Sequence, residues 1–285
     1  MTADADATAE DTDQAQDLTV DGRRVHIRTG GVTVEPDAPT VVLVHGAGMD
    51  GTVWSQQTRY LSMRRVRALA VDLPGHGQSQ GPALSTVPAM GTWLAQLLQQ
   101  LGGPVVLAGH SMGTYVALEA ASAHPELVNS LVLLGTASNM PVHPDLLEAA
   151  QHDLPRAASL MTGWSHAPGS RIGDNPTPGL WMTGGVEALV ERSGPGVLLT
   201  DLEACARFTG ADELAGLISC PVAVVIGAHD KMTPPPAARA LAAKMVNATS
   251  VDLVELPDAG HMTLTEEPRA VRKTVLAAAL AAHSS

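Results

Sequence analysis

Six short apolar runs recur along the chain: TVVLVHG (40–46), VRALAVD (66–72), PVVLAGH (104–110), LVNSLVLLG (127–135), PVAVVIG (221–227) and VDLVELP (251–257). Segments of helical pattern separate most of them. Residues 53–63 form a short one, and 85–101 place Trp93, Leu94, Leu97, Leu98 and Leu101 on one side. Others cover 112–124, about 236–246 and 266–282. Continuous apolar strands alternating with helices predict a parallel sheet covered on both faces. Right-handed crossovers then set its winding, giving a doubly wound α/β core. The stretch DLTVDGRRVHIRTGG (17–31) predicts a strand, a turn and a strand.

The rhythm breaks between about 137 and 212. MPVHPDLLEAAQHDLPRAASLM, VEALVER and LLTDLEACARF have helical patterns, whereas GWSHAPGSRIGDNPTPGLWMTGG (163–185) is rich in Gly and Pro and reads as loop. The expected organisation is therefore a core of residues 18–136 and 213–285, interrupted by a helical cap of residues 137–212. The glycine content of 163–185 makes a mobile lid the expectation there. Residues 1–17 precede the core as an acidic leader of disordered character.

Composition excludes several functions. The formal net charge is −12, and six acids without a base lie in residues 1–20. Nucleic-acid binding needs basic patches for phosphates, and none is present. Aromatic residues make up only 2%, so a stacking platform for bases or sugars is not expected. Cys205 and Cys220 are too few for a disulfide framework and are expected to be reduced. There is no secretory signal pattern and no run of about 20 apolar residues that would span a membrane. The expectation is a cytoplasmic protein, monomeric or homodimeric.

In open α/β sheets, ligands bind beyond the carboxyl ends of the strands. The run PVVLAGH leads into GHSMG (109–113), where Ser111 stands between Gly109 and Gly113 as a strand becomes a helix. This is the G-x-S-x-G nucleophile elbow, whose tight turn needs small residues and lifts the serine out of the sheet. The helix N-terminus there favours negative charge. A serine hydroxyl is a weak nucleophile without a base. Asp230 follows VVIG and His261 follows LVELP, each at the end of its strand. The order Ser111, Asp230, His261 is the order such a triad takes in this fold. Asp258 is a rival acid with a poorer strand-end position. HGAGM (45–49) ends the first core strand, and its small residues leave backbone N–H groups open. Ala47 N–H, with Gly48 N–H as the alternative, would join Met112 N–H in an oxyanion hole.

The chain resembles the α/β-hydrolase superfamily. The matching pieces are HGAG (45–48), DLPGHGQS (72–79), GHSMG (109–113), the HD at 229–230 and GHM (260–262), spanning most of residues 40–280. The resemblance implies a sheet of about eight mostly parallel strands with a helical cap after the sixth. It also implies a Ser–His–Asp triad, with DLPGHGQS as a structural turn. Relatives that are dehalogenases or epoxide hydrolases carry Asp where this chain has Ser111, so those reactions are not expected.

A methionine stands in or beside each motif: Met49, Met112, Met232 and Met262. These are either gap fillers or the lining of a soft apolar pocket. Met140, Met161, Met182, Trp164 and Trp181 could join the lining from the cap. His45, His76, His110 and His229 are read as turn, hydrogen-bonding or packing residues, and His143, His152 and His166 lie in the cap. No histidine has metal-ligand spacing such as HExxH, so no metal is expected, and acyl transfer through the triad needs no other cofactor. The expected activity is hydrolysis of small to medium apolar carboxylic esters through an acyl-enzyme. C–C bond hydrolysis, lactone hydrolysis, thioester hydrolysis, perhydrolysis, hydroxynitrile lysis and ligand binding without turnover use the same fold and remain open.

Overall fold

Each apolar run becomes a strand. The computed structural model describes residues 18–35, 37–171, 177 and 179–283, so the expected leader 1–17 lies outside the described residues. Strands β1 (Leu18–Val20) and β2 (Arg23–Val25) pair antiparallel with each other. Asp21 and Gly22 join them with φ of 51° and 72°, the left-handed pair that a two-residue hairpin turn requires. The other strands are β3 (Ile27–Arg28), β4 (Thr40–Val44), β5 (Arg67–Val71), β6 (Val105–His110), β7 (Val128–Leu134), β8 (Val222–Gly227) and β9 (Val251–Leu256). They form one sheet in the order β3-β5-β4-β6-β7-β8-β9. Strand β3 runs antiparallel to β5, and the remaining neighbours pair in parallel. The sheet thus has seven strands among the described residues rather than about eight, because β1 and β2 close on each other.

The helices are α1 (Ser55–Ser62), α2 (Val87–Gln100), α3 (Met112–Ala123), α4 (Pro144–His152), α5 (Leu154–Ser165) and α6 (Pro168–Arg171). They continue with α7 (Met182–Glu191), α8 (Val197–Arg207), α9 (Ala211–Leu217), α10 (Pro235–Ala242), α11 (Thr263–Glu266) and α12 (Pro268–His283). Sequence chemistry sets several ends. Thr86 accepts the Ala89 N–H at 3.3 Å to cap α2, and Pro88 occupies its first turn. Helix α12 packs across β4, β6, β7 and β8 with α1 beside it, and α3 packs across β4, β6 and β7 with α2 beside it. The two groups cover the sheet, which is why β6 is buried along its whole length.

Helices α4 to α9 fill the chain between β7 and β8. Helix α4 packs on α5 and α8, and α5 on α7. Helix α9 packs instead on α3 and α10, with the core helices. The stretch 163–185, expected as loop, contains the end of α5, the helix α6 and the start of α7. Residues 172–176 and 178, the heart of the expected lid, lie outside the described residues.

Candidate active site

Three strand ends meet at one edge of the sheet. Beyond β6, Ser111 has φ 54° and ψ −121°, a strained conformation for a residue with a side chain. Close backbone contact enforces it. A Cβ on Gly109 would lie 2.3 Å from Gly113 O, and one on Gly113 would lie 2.5 Å from Val44 O. Only glycine at both positions lets the start of α3 press against the end of β4. Ser111 N–H donates to Leu134 O at 2.9 Å, fixing the turn to β7.

Beyond β8 and β9, Asp230 and His261 are joined. His261 Nδ1 donates to Asp230 Oδ2 at 2.8 Å, and both residues are buried. The same carboxylate accepts the Met232 and Thr233 N–H groups at 2.8 Å each and Thr233 Oγ1–H at 2.7 Å. Burial would raise the Asp230 pKa, but the His261 charge and these hydrogen bonds outweigh it and hold the carboxyl below its usual value. With Nδ1 committed to Asp230, the second ring nitrogen, Nε2, is buried without a partner among the described residues. His261 and Ser111 line the same cavity, although no hydrogen bond joins Ser111 Oγ to Nε2 here. Such bonds often tighten only when substrate is bound. Asp258, the rival acid, is exposed.

The backbone donors lie beside Ser111. Residues 46–49 form a turn closed by Met49 N–H to Gly46 O at 3.2 Å, with Gly48 at φ 65°. Gly48 N–H is occupied: it donates to Asp201 Oδ2 at 2.8 Å. That removes Gly48 as the alternative oxyanion donor. Among the described residues, Ala47 N–H and Met112 N–H make no hydrogen bond within the protein. Ala47 lines the cavity, and Met112 begins α3.

The cavity holds about 670 Å³. Met49, Met232 and Met262 line it from the core, and Met140, Met161 and Trp164 from the segment between β7 and β8. Trp181 does not. It is 73% exposed at the start of α7, and its ring folds back over Gly184, where a Cβ would come within 2.2 Å of it. Met182 is buried but is not among the lining residues.

The sequence matches the model of the alpha/beta hydrolase family over residues 41–274. The chain belongs to that family. This hydrolase is 32% identical over 248 residues to the pimeloyl-(acyl-carrier protein) methyl ester esterase of Aromatoleum aromaticum, covering 81% of this chain and 94% of that protein. A thermophilic esterase from Thermogutta terrifontis superposes with a TM-score of 0.77 at 26% identity, covering 94% of this chain and 98% of that one. The enol-lactonase from Burkholderia xenovorans shares the fold, with a TM-score of 0.79 at 24% identity over 91% of this chain and 97% of that one.

Sequence reading misses three side chains around the hydrolase site. Thr233 bonds Asp230 and lies 3.2 Å from His261 Nδ1. Glu266 is buried beneath the His261 loop, where its carboxylate accepts Gly260 N–H at 2.5 Å and Ala167 N–H at 3.1 Å. Burial pushes its pKa up to about 7 against the opposing pull of those two N–H groups. Asp201 carries a legible signal, because it shares the apolar stripe of α8 with Leu198, Leu202 and Cys205. Cys205 lines the cavity, and burial raises its pKa, so it is an apolar wall rather than a nucleophile.

The histidines take supporting positions. His110 Nε2 donates to His261 O at 3.1 Å, and burial lowers its pKa to about 3. His45 accepts the Leu73 N–H at 3.1 Å. His229 is exposed. His76, read as a turn residue, also pairs with Asp201 at 2.8 Å. Among the described residues, no helix is long and apolar enough to cross a membrane.

Proposed function

We propose that this protein is a serine hydrolase that cleaves carboxylic esters of small to medium apolar substrates. Its esterase relatives favour this bond type. The observation that carries the mechanism is the His261–Asp230 pair, which leaves Nε2 open beside the cavity that Ser111 lines. In this reading His261 Nε2 takes the Ser111 proton as Oγ attacks the ester carbonyl. Asp230 fixes the ring tautomer and stabilises the imidazolium. The Ala47 and Met112 N–H groups receive the oxyanion, and each such donor contributes roughly 2.7–4 kcal/mol to lowering a barrier of this kind. His261 then protonates the leaving alcohol. Water repeats the cycle on the acyl-enzyme and frees the acid and Ser111. Residues 137–212 act as a cap, and the methionine-rich wall receives the acyl chain.

The test is hydrolysis of p-nitrophenyl esters from acetate to decanoate by wild type and Ser111→Ala. Turnover by wild type alone supports the reading, and the best chain length sizes the pocket. Two folded but inert proteins would turn attention to C–C hydrolysis, lactone hydrolysis or ligand binding.

A further inference from the structure

Asp201 is a fully buried carboxylate on an otherwise apolar helix face. Its Oδ2 accepts two hydrogen bonds of 2.8 Å, from His76 Nε2 and from Gly48 N–H. Its Oδ1 is buried with no partner among the described residues. A half-satisfied buried carboxylate lowers stability relative to an apolar residue of similar size, so stability alone does not account for it. What it touches is the turn that carries Ala47.

We propose that Asp201 is a positioning residue: with His76 it clamps α8 to the 46–49 turn and so aims the Ala47 N–H into the cavity. The turn has few ways to hold its shape. Gly48 sits in the left-handed region, which glycine enters without steric cost. Among the described residues one backbone bond, Met49 N–H to Gly46 O, closes the turn, with His45 Nδ1 donating to the same carbonyl. Asp201 holds the peptide plane between residues 47 and 48 from outside. Leu198, one turn earlier on α8, packs against Gly48, where a Cβ would come within 2.7 Å of Leu198 Cδ1. Ala47 lines the cavity, and its N–H, on the peptide just before, has no protein partner among the described residues.

The charge is arranged for the same purpose. A bare carboxylate behind an oxyanion site would repel the developing negative charge. His76 donates from both ring nitrogens, to Pro74 O at 3.0 Å and to Asp201 at 2.8 Å, which makes it an imidazolium that offsets Asp201. Docking of α8 and readiness of the donor turn are thereby coupled.

The inference rests on the ester-hydrolase reading, and its test separates the two. Steady-state kinetics on the best p-nitrophenyl ester would compare wild type, Asp201→Asn, Asp201→Ala and Arg192→Ala. Arg192 ties α7 to Asp50, a second link at 2.7 Å that does not touch the turn's donors. Misplacing a catalytic group by about 1 Å costs up to about 100-fold. Both Asp201 variants should lose kcat by about 10- to 100-fold with KM changed less than about threefold. Arg192→Ala should stay within about twofold of wild type. If folded Asp201→Asn keeps kcat within about twofold, the clamp has no catalytic role and the proposal is overturned. If wild type cleaves no ester, the functional reading has failed instead, and amide exchange then judges the clamp. Gly48 N–H should exchange at least about tenfold faster in Asp201→Asn, and unchanged exchange would refute the clamp.

Discussion

The rings of His45 and His76 lie 4.8 Å apart, and their hydrogen bonds demand opposite protonation states. His45 donates from Nδ1 to Gly46 O and accepts Leu73 N–H at Nε2, so it is neutral. His76 donates from both nitrogens. Burial, reinforced by His76, lowers the His45 pKa to about 4. Burial opposes a charge on His76, but Asp201 outweighs it and raises the pKa above 6.5. The stability His76 adds is full below pH 6.5 and lost as pH rises through its folded value. The stability from neutral His45 is present above pH 6.5 and lost as pH falls towards 4. Ring-nitrogen NMR from about pH 4 to about pH 9 should show both behaviours, and Asp201→Asn should lower the His76 pKa. A wild-type His76 titrating below 6.5 would contradict the assignment.

Thr233, which lines the cavity beside His261, should matter to turnover through the carboxylate it holds. Its hydroxyl shares Asp230 Oδ2 with His261. A hydrogen bond to a charged group contributes about 1.5–3 kcal/mol. Thr233→Val should therefore lower kcat about tenfold or more with little change in KM, and should shift the acid limb of the pH profile. Asp230→Asn should cost far more, about 10⁴-fold, because it favours the wrong histidine tautomer. Unaltered kcat in Thr233→Val would remove Thr233 from the positioning set.

Glu266 makes stability depend on pH near neutrality. Its pKa is raised to about 7 from an ordinary 4.5. The stability of the protonated form is full below pH 4.5 and lost as pH rises through 7. The loss is on the order of 3 kcal/mol at about 1.36 kcal/mol per pH unit. Glu266→Gln keeps an acceptor for Gly260 N–H but cannot titrate. Denaturant unfolding at about pH 5 and about pH 8 should show a smaller difference for Glu266→Gln than for wild type. Equal differences would show that Glu266 titrates alike in the folded and unfolded chains.

Two glycine substitutions should act in opposite directions. Gly109→Ala forces a Cβ against Gly113 O and should destabilise the elbow by several kcal/mol, on the order seen for strained or overpacked cores. Gly163 lies in α5, and a Cβ there would meet open space, with no heavy atom within 4 Å. Gly163→Ala should therefore stabilise by roughly 0.5–1 kcal/mol. Thermal unfolding of both variants decides this, and a stable Gly109→Ala protein would disprove the close-approach argument.

The sheet is legible in the sequence because a strand buried on both faces must be apolar throughout, as Val105–Ala108 and Val41–Val44 are. The strand-end positions of Ser111, Asp230 and His261 are legible because turn chemistry at strand ends is local: glycines, an acid and a histidine stand where the apolar runs stop. The helical turns within 163–185 are hidden because helix α7 starts without a polar cap. It begins after Trp181, whose ring covers Gly184 in place of a capping side chain. Its place in the cap makes Trp181 a candidate for the pocket lining, but place in the chain does not say which way a side chain turns.

Periodicity and steric demands within a few residues dictate the alternation of strands and helices, the elbow and the order of its partners, so the amino-acid string is enough for these. Which backbone donors remain open, which carboxylates are buried and which methionines meet in one cavity depend on how distant segments pack. Asp201 and Gly48 are 153 positions apart, and Glu266 and Ala167 are 99 apart. No local pattern encodes contacts of that kind, because each partner's neighbours are chosen only when the whole chain has closed around the sheet.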